Sequence, residues 1–165
     1  MADSDLKLQT VEALHEVLDA LRKDVNGGRT TVRLDDCGLG FHVDTVAAET
    51  LSENVHSIRT QNSLDQKNAA AVKWLEKNRR AFVMNDCLNP WDPEVAPEKE
   101  VIEIYGIRSE MVAPVIKDGN LVGWVSCHYT QGAREWSDDE VARIEAACTA
   151  VRDILVGVDK ALAAG

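Results

Sequence analysis

Two β-prone runs flank Lys117-Asp118-Gly119 and carry five side chains with useful chemistry: Arg108 and Glu110 before the turn, Trp124, Ser126 and His128 after it. A histidine beside a carboxylate can move protons near neutral pH. A guanidinium can hold an anion, and a tryptophan can wall a small ligand. Side chains alternate between the faces of a strand, so these five act together only in a register that keeps them on one face. The turn permits two registers. A three-residue loop, 117–119, sets Ile116 beside Asn120 and places Pro114, Val112, Glu110 and Arg108 opposite Val122, Trp124, Ser126 and His128. The other face is then Ser109, Met111, Ala113 and Val115 with Leu121, Gly123, Val125 and Cys127, almost wholly apolar. A two-residue loop, Asp118-Gly119, puts Glu110 with Cys127 and Ala113 with Trp124, mixing polar and apolar groups on both sides. The segregated arrangement favours the three-residue loop.

Elements on either side must hold this hairpin. Residues 5–25 place Val11, Leu14, Leu18, Leu21 and Val25 at three- and four-residue steps, a narrow apolar helical stripe that Asn26-Gly27-Gly28 ends. Ser137-Asp138-Asp139-Glu140 reads as a capping box opening a helix over 137–163, with Val141, Ile144, Cys148, Val151, Ile154 or Leu155, Val158 and Leu162 along its seam. Two such seams predict terminal helices packed together on one face of a sheet, and suggest a homodimer through those helices. Between them, residues 30–34 and 41–47 read as strands around a Gly-containing turn at 35–40, interrupted by the polar Arg33, His42 and Asp44. Residues 50–61 read as irregular with a short strand near 57–59. A helix is expected over 63–78, carrying Leu64, Ala71, Val72 and Leu75, and a short strand over 80–86. Three prolines make 87–97 a loop, and 98–106 reads as a short helix. Strands grouped between helices predict an α+β sandwich rather than a doubly wound fold.

The chain's 165 residues suit one domain, 1–165, with its sheet and pocket within about 30–130. The formal charge of -10 argues against nucleic acid and anionic membrane as partners, both of which need a basic footprint. No apolar run approaches a membrane span, and the polar start Met1-Ala2-Asp3-Ser4-Asp5 does not resemble a signal peptide, so a cytoplasmic location is expected. Cys37, Cys87, Cys127 and Cys148 form no Cys-x-x-Cys pair and read as free, mostly buried thiols. A metal site from His42, His128 and a carboxylate has no supporting ligand spacing, so no metal is expected.

Residues 112–125, Val-Ala-Pro-Val-Ile-Lys-Asp-Gly-Asn-Leu-Val-Gly-Trp-Val, resemble the closing hairpin of a GAF domain, a sensor module related to PAS domains. Residues 133–140 resemble that family's lead into its last helix, and 74–86 its helix, strand and terminal Asp, so the resemblance spans nearly the whole chain. It implies an antiparallel sheet with the terminal helices on one face and a ligand pocket on the other. Ser126-Cys127-His128 is similar to the bilin-binding domains of phytochromes, where the corresponding His faces the chromophore. The attachment does not carry over, because residues 98–104 lack the Cys-His dipeptide of cyanobacteriochromes, so no bilin or other cofactor is expected.

The resemblance implies a small-molecule ligand, polar or anionic, and a sensing or regulatory role. Arg33 falls where the family's first strand faces the pocket. Trp91, in the proline-rich loop, would be a lid, and Tyr105 would serve the same wall. His42 and Asp86 complete the candidate ligand-binding set with Arg108, Glu110, Trp124, Ser126 and His128; the ordinary roles of those two are an exposed histidine and a loop cap. The length leaves no room for an attached output domain, so a stand-alone domain is expected. Enzymatic activity stays open as the alternative: acid–base chemistry by His128 with Glu110, or cysteine-based methionine sulfoxide reduction, for which Cys87 is the candidate.

Overall fold

The computed structural model describes residues 3–35, 37–61 and 65–165. Its elements follow the apolar periodicities. Helix α1, Asp3–Asp24, buries Leu14, Leu18 and Leu21 along its seam and stops where Asn26 takes a left-handed backbone. Strand β1, Arg29–Leu34, follows directly, and β2, Ala48–Leu51, returns antiparallel to it. A short 3-10 helix, Gln66–Asn68, precedes α2, Ala70–Asn78. Then come β3, Phe82–Met84, and α3, Lys99–Tyr105. The hairpin of β4, Ser109–Lys117, and β5, Asn120–Tyr129, leads to α4, Asp138–Ala164. Ser137 caps α4 as the sequence indicates: its hydroxyl accepts from the Glu140 amide at 3.1 Å, and Glu140 Oε1 accepts from the Ser137 amide at 2.9 Å.

The five strands form one antiparallel sheet in the order β2-β1-β5-β4-β3, and the fold is α+β. One face carries Val32, Leu34, Met111, Ala113, Val115, Val125 and Cys127 under α1 and α4. Leu14, Leu18, Ile144, Cys148, Val151, Leu155 and Val158 are buried there within the chain. The other face packs a second cluster, including Val72, Leu75, Phe82, Ile102, Tyr105, Val112 and Trp124, beneath α2, α3 and the loop between β3 and α3.

Three expectations need correction. The hairpin turn is the two-residue one: Lys117 pairs with Asn120, and Asp118 and Gly119 both have positive φ, 53° and 79°, as a type I′ turn demands. A bulge at Val122 then restores the segregated faces. Ile116 pairs with Leu121 but Val115 pairs with Gly123, so one extra residue offsets the parity that the shorter turn would impose. The partners of Glu110, Val112 and Pro114 are therefore His128, Ser126 and Trp124, two places along from the expected ones.

The second strand lies at 48–51 rather than 41–47. His42 explains the shift: its Nδ1 accepts from the Asp44 amide at 3.1 Å and its carbonyl accepts from the Thr45 amide and hydroxyl, winding that stretch into a turn. No strand forms at 57–59. The α2 region is helical from Ala70, and the expected start at Ser63 and Leu64 lies outside the described residues. None of the described helices is long and apolar enough to cross a membrane.

Candidate functional site

The sheet face away from the terminal helices is not simply apolar. β1 alternates so that Thr30, Val32 and Leu34 point under the helices while Arg29, Thr31 and Arg33 share the opposite face with their cross-strand partners His128, Ser126 and Trp124. Glu110 reaches the same face from β4. Arg29 is 0% exposed, and Arg33, Glu110, Trp124, Ser126 and His128 are all buried.

Arg29 is tied down by its donors. Nε and Nη2 donate to the His56 carbonyl at 3.2 and 2.7 Å, and Nη1 donates to the Tyr105 carbonyl at 3.0 Å. Nη1 also lies 3.0 Å from His128 Nδ1. A guanidinium can only donate, so Nδ1 is the acceptor and the imidazole proton sits on Nε2. Nε2 stands 3.5 Å from Glu110 Oε2. Burial first, then the positive fields of Arg29 and Arg33, hold the His128 pKa well below its ordinary value of 6.5. Burial pushes the Glu110 carboxyl up to about 7. At neutral pH the histidine is therefore neutral and the carboxyl is close to half-protonated.

Arg33 donates to the Val43 carbonyl at 3.1 Å and to the Tyr105 hydroxyl at 3.3 Å. Tyr105 also lays its ring along His128, with centroids 6.1 Å apart and planes 28° from parallel. The C-terminal end of α3 thus joins both arginines and the histidine. Neither guanidinium has a carboxylate within ion-pair distance among the described residues, and burial lowers both their pKa values, partly offset by the Tyr105 phenol and the more distant Glu49 and, for Arg33, Asp44. Two desolvated cations facing a half-protonated acid make this face favourable to an added negative charge.

The face opens at one end. A cleft of about 290 Å³ lies between α2 and the bulged start of β5, lined by Val43, Val72, Lys73, Leu121 and Trp124 among others. Val43 and Trp124 connect it to the buried cluster: the Val43 carbonyl accepts from Arg33, and Trp124 is Arg33's cross-strand partner.

The other candidates fall apart from this group. Trp91 is 55% exposed and does not close over His128. Its indole N–H donates to the Val83 carbonyl at 2.6 Å and its ring packs on Phe82 and Trp74, so it seals the free edge of β3. Asp86 caps its loop, accepting from the Leu88 amide at 3.0 Å. His42 is on an exposed turn, 3.4 Å from the Asp44 carboxylate. Arg108 donates to its neighbour's carbonyl, Ile107 O, at 3.1 Å and makes no ion pair with Glu110. Cys87 is buried, and burial pushes its thiol well above the usual range. Cys127 lies on the opposite sheet face with its thiol pushed up to about 12. Among the described residues no group of three or more His, Cys, Asp and Glu is placed to hold a metal ion.

Arg29 was not singled out in the sequence because it follows Gly27-Gly28 and reads as the tail of a turn. The available signal was its two-residue step through Thr31 to Arg33, which puts both arginines on one strand face.

The model of the GAF domain family matches residues 9–153. Among solved structures, the blue-light absorbing form of the Thermosynechococcus elongatus PixJ GAF domain is similar with a TM-score of 0.75 at 20% identity, over 96% of this chain and 94% of that one. GAF3 from Slr1393 of Synechocystis sp. PCC6803 gives 0.66 at 14% identity, over 93% and 95%. The chromophore-binding domain of the R. palustris bacteriophytochrome RpBphP3 gives 0.72 at 16% identity, over 92% of this chain and 57% of that one. No curated protein matches the chain.

Proposed function

The chain belongs to the GAF domain family, and on that premise we propose that it is a sensory domain that takes a small polar or anionic molecule onto the sheet face bearing Arg29, Arg33, Trp124 and His128. The observation that carries this reading is the pair of buried guanidiniums without a carboxylate partner among the described residues. Two cations desolvated at a cost of several kcal/mol favour an anion placed beside them. The solved relatives include a chromophore-binding domain, which supports a ligand on this scaffold but not its identity. Residues 98–104 offer no cysteine for covalent attachment. Free thiols at Cys37, Cys87, Cys127 and Cys148 fit a reducing compartment, in line with action in the cytoplasm.

Sensing is favoured over catalysis by the tautomer. With Nδ1 accepting from Arg29 and Nε2 turned to Glu110, both ring nitrogens of His128 are engaged inside the fold. Raised thiol pKa values at Cys87, Cys127 and Cys148 leave little thiolate for sulfoxide chemistry.

Native mass spectrometry of the purified protein, beside the Arg33→Met variant, tests the proposal. A small molecule that accompanies the wild type and is lost from folded Arg33→Met supports it. Wild type free of any small molecule, with no thermal stabilisation by panels of carboxylates and phosphates, would overturn it.

A further inference from the structure

The cleft between α2 and β5 has chemistry of its own, distinct from the buried arginines behind it. Trp124 is only 5% exposed, yet its indole N–H makes no hydrogen bond among the described residues. Two of the other three indoles behave differently: Trp136 donates to Ser109 Oγ at 2.8 Å, and Trp91 to a backbone carbonyl, while Trp74 is half-buried. A buried indole N–H normally finds an acceptor. That of Trp124 is not fully enclosed, and the residue lines the cleft.

At the mouth, the charged residues largely cancel. The lining holds Lys67 and Lys73 against Asp35 and Glu76; Lys67 pairs with Asp35 at 2.8 Å, and Glu76 turns to Arg79, 3.7 Å away and outside the cleft. Lys73 is exposed and has no ion-pair partner among the described residues. Between this cation and the indole donor the walls are Val43, Val72, Leu121 and Val122. A space of about 290 Å³ is at the small end for ligand pockets and suits a molecule of about ten to fifteen non-hydrogen atoms.

From this arrangement we infer that the cleft binds a small aromatic monocarboxylate with a hydrogen-bond acceptor at its far end, the acceptor meeting the Trp124 N–H, the ring lying between Val43 and Val72, and the carboxylate meeting Lys73. The inference rests on the reading of this sheet face as a ligand site and adds the class of ligand. A neutral analogue would lose the charge at the mouth; a cationic one would be repelled there. Selectivity for the anion is modest, because Lys73 is solvated, whereas the buried donor sets orientation.

The test uses three probes of one shape, para-hydroxybenzoate, para-hydroxybenzyl alcohol and para-hydroxybenzylamine, titrated into nitrogen-15-labelled protein while the indole N–H resonances are followed. Trp124→Phe identifies the Trp124 resonance, and Lys73→Met, at an exposed position, is the variant that leaves the fold intact. The expected result is a saturable shift of the Trp124 resonance, with affinity in the order anion, neutral, cation. Lys73→Met should weaken the anion by about threefold and leave the neutral probe unchanged. A Trp124 shift with equal affinities for all three probes overturns the ligand class while the ligand site itself stands. If no probe moves Trp124 but a molecule co-purifies and is lost in Arg33→Met, the inference fails and the proposed function survives. If neither occurs, both fail.

Discussion

His128 and Glu110 face each other directly across β4 and β5, with Nε2 and Oε2 3.5 Å apart, while the histidine's other nitrogen accepts from Arg29. The pair is buried, and its two members are shifted so that both favour their neutral forms. A neutral imidazole donating toward a protonated or singly charged acid keeps this polar patch inside the sheet without stacking up charge beside two guanidiniums.

This pair makes stability depend on pH in a way one substitution can separate. Between the ordinary carboxyl value of 4.5 and about 7, folded Glu110 holds a proton that the unfolded chain has released, so stability falls as pH rises and the loss is complete above about 7. Folded His128 declines a proton that the unfolded chain takes up below 6.5, so its contribution falls as pH falls. The slopes oppose each other in the overlap. Glu110→Gln should match wild type near pH 4 (about), gain stability through the overlap, and exceed wild type above about pH 7.5 by on the order of 3 kcal/mol. Urea midpoints across pH decide it; identical curves for the two proteins would show that the carboxyl is not shifted.

Glycines on either side of the sheet should respond oppositely to alanine. A Cβ at Gly123 would lie 2.2 Å from the Arg33 carbonyl oxygen and 2.8 Å from Leu34 Cδ2, so β1 and β5 must part next to the bulge. Gly123→Ala is expected to cost about 3 kcal/mol. Gly157 sits exposed inside α4 with nothing within 4 Å of a new Cβ, and Gly157→Ala should stabilise by about 0.8 kcal/mol. Chemical denaturation of both variants checks the contrast.

Thiol labelling reports the burial of the cysteines. Cys87, Cys127 and Cys148 are buried and their pKa values raised, with Cys127 and Cys148 pushed up to about 12. Cys37 is half-buried. Under native conditions at about pH 8 an aromatic disulfide reagent should label Cys37 first and the other three only on the timescale of unfolding. Rapid labelling of Cys87 would reopen thiol chemistry at the start of the loop.

The cap on α4 gives a smaller effect of known sign. Ser137→Ala removes the acceptor for the Glu140 amide and leaves one first-turn donor to water. A loss of about 1 kcal/mol is expected, read as a fall in Tm of about 3 °C. An unchanged Tm would mean that packing alone sets the start of this helix.

Much of this was legible because periodicity survives local irregularity. The seams of α1 and α4 follow from three- and four-residue steps, and the capping box marks the start of α4 at Ser137. The segregated faces of the hairpin were readable too, although two features hidden from the sequence, a short turn and a compensating bulge, produce them together. The polar stretch 41–47 misled because its β-prone residues are overridden by hydrogen bonds that the His42 side chain and carbonyl accept. Trp91 misled because a tryptophan in a loop looks like a lid, whereas an unpaired strand edge competes for its N–H. Arg29 stayed hidden because its partners, the carbonyls of His56 and Tyr105, lie 27 and 76 residues away.

The extra residue at Val122 insulates one half of the hairpin from the other. Loop engineering at Asp118-Gly119 that preserves the length should leave Trp124, Ser126 and His128 where they are, since those positions are counted from beyond the bulge. Excising Val122 would merge the two halves into one regular ladder with the same partners, because Leu121 already pairs with Ile116 and Gly123 with Val115. Drawing Val122 into the ladder opposite Val115 would do the reverse: the same chain would then offer its imidazole and indole to the greasy underside and its Cys127 thiol to the arginines, turning the strand inside out by a slip of one residue.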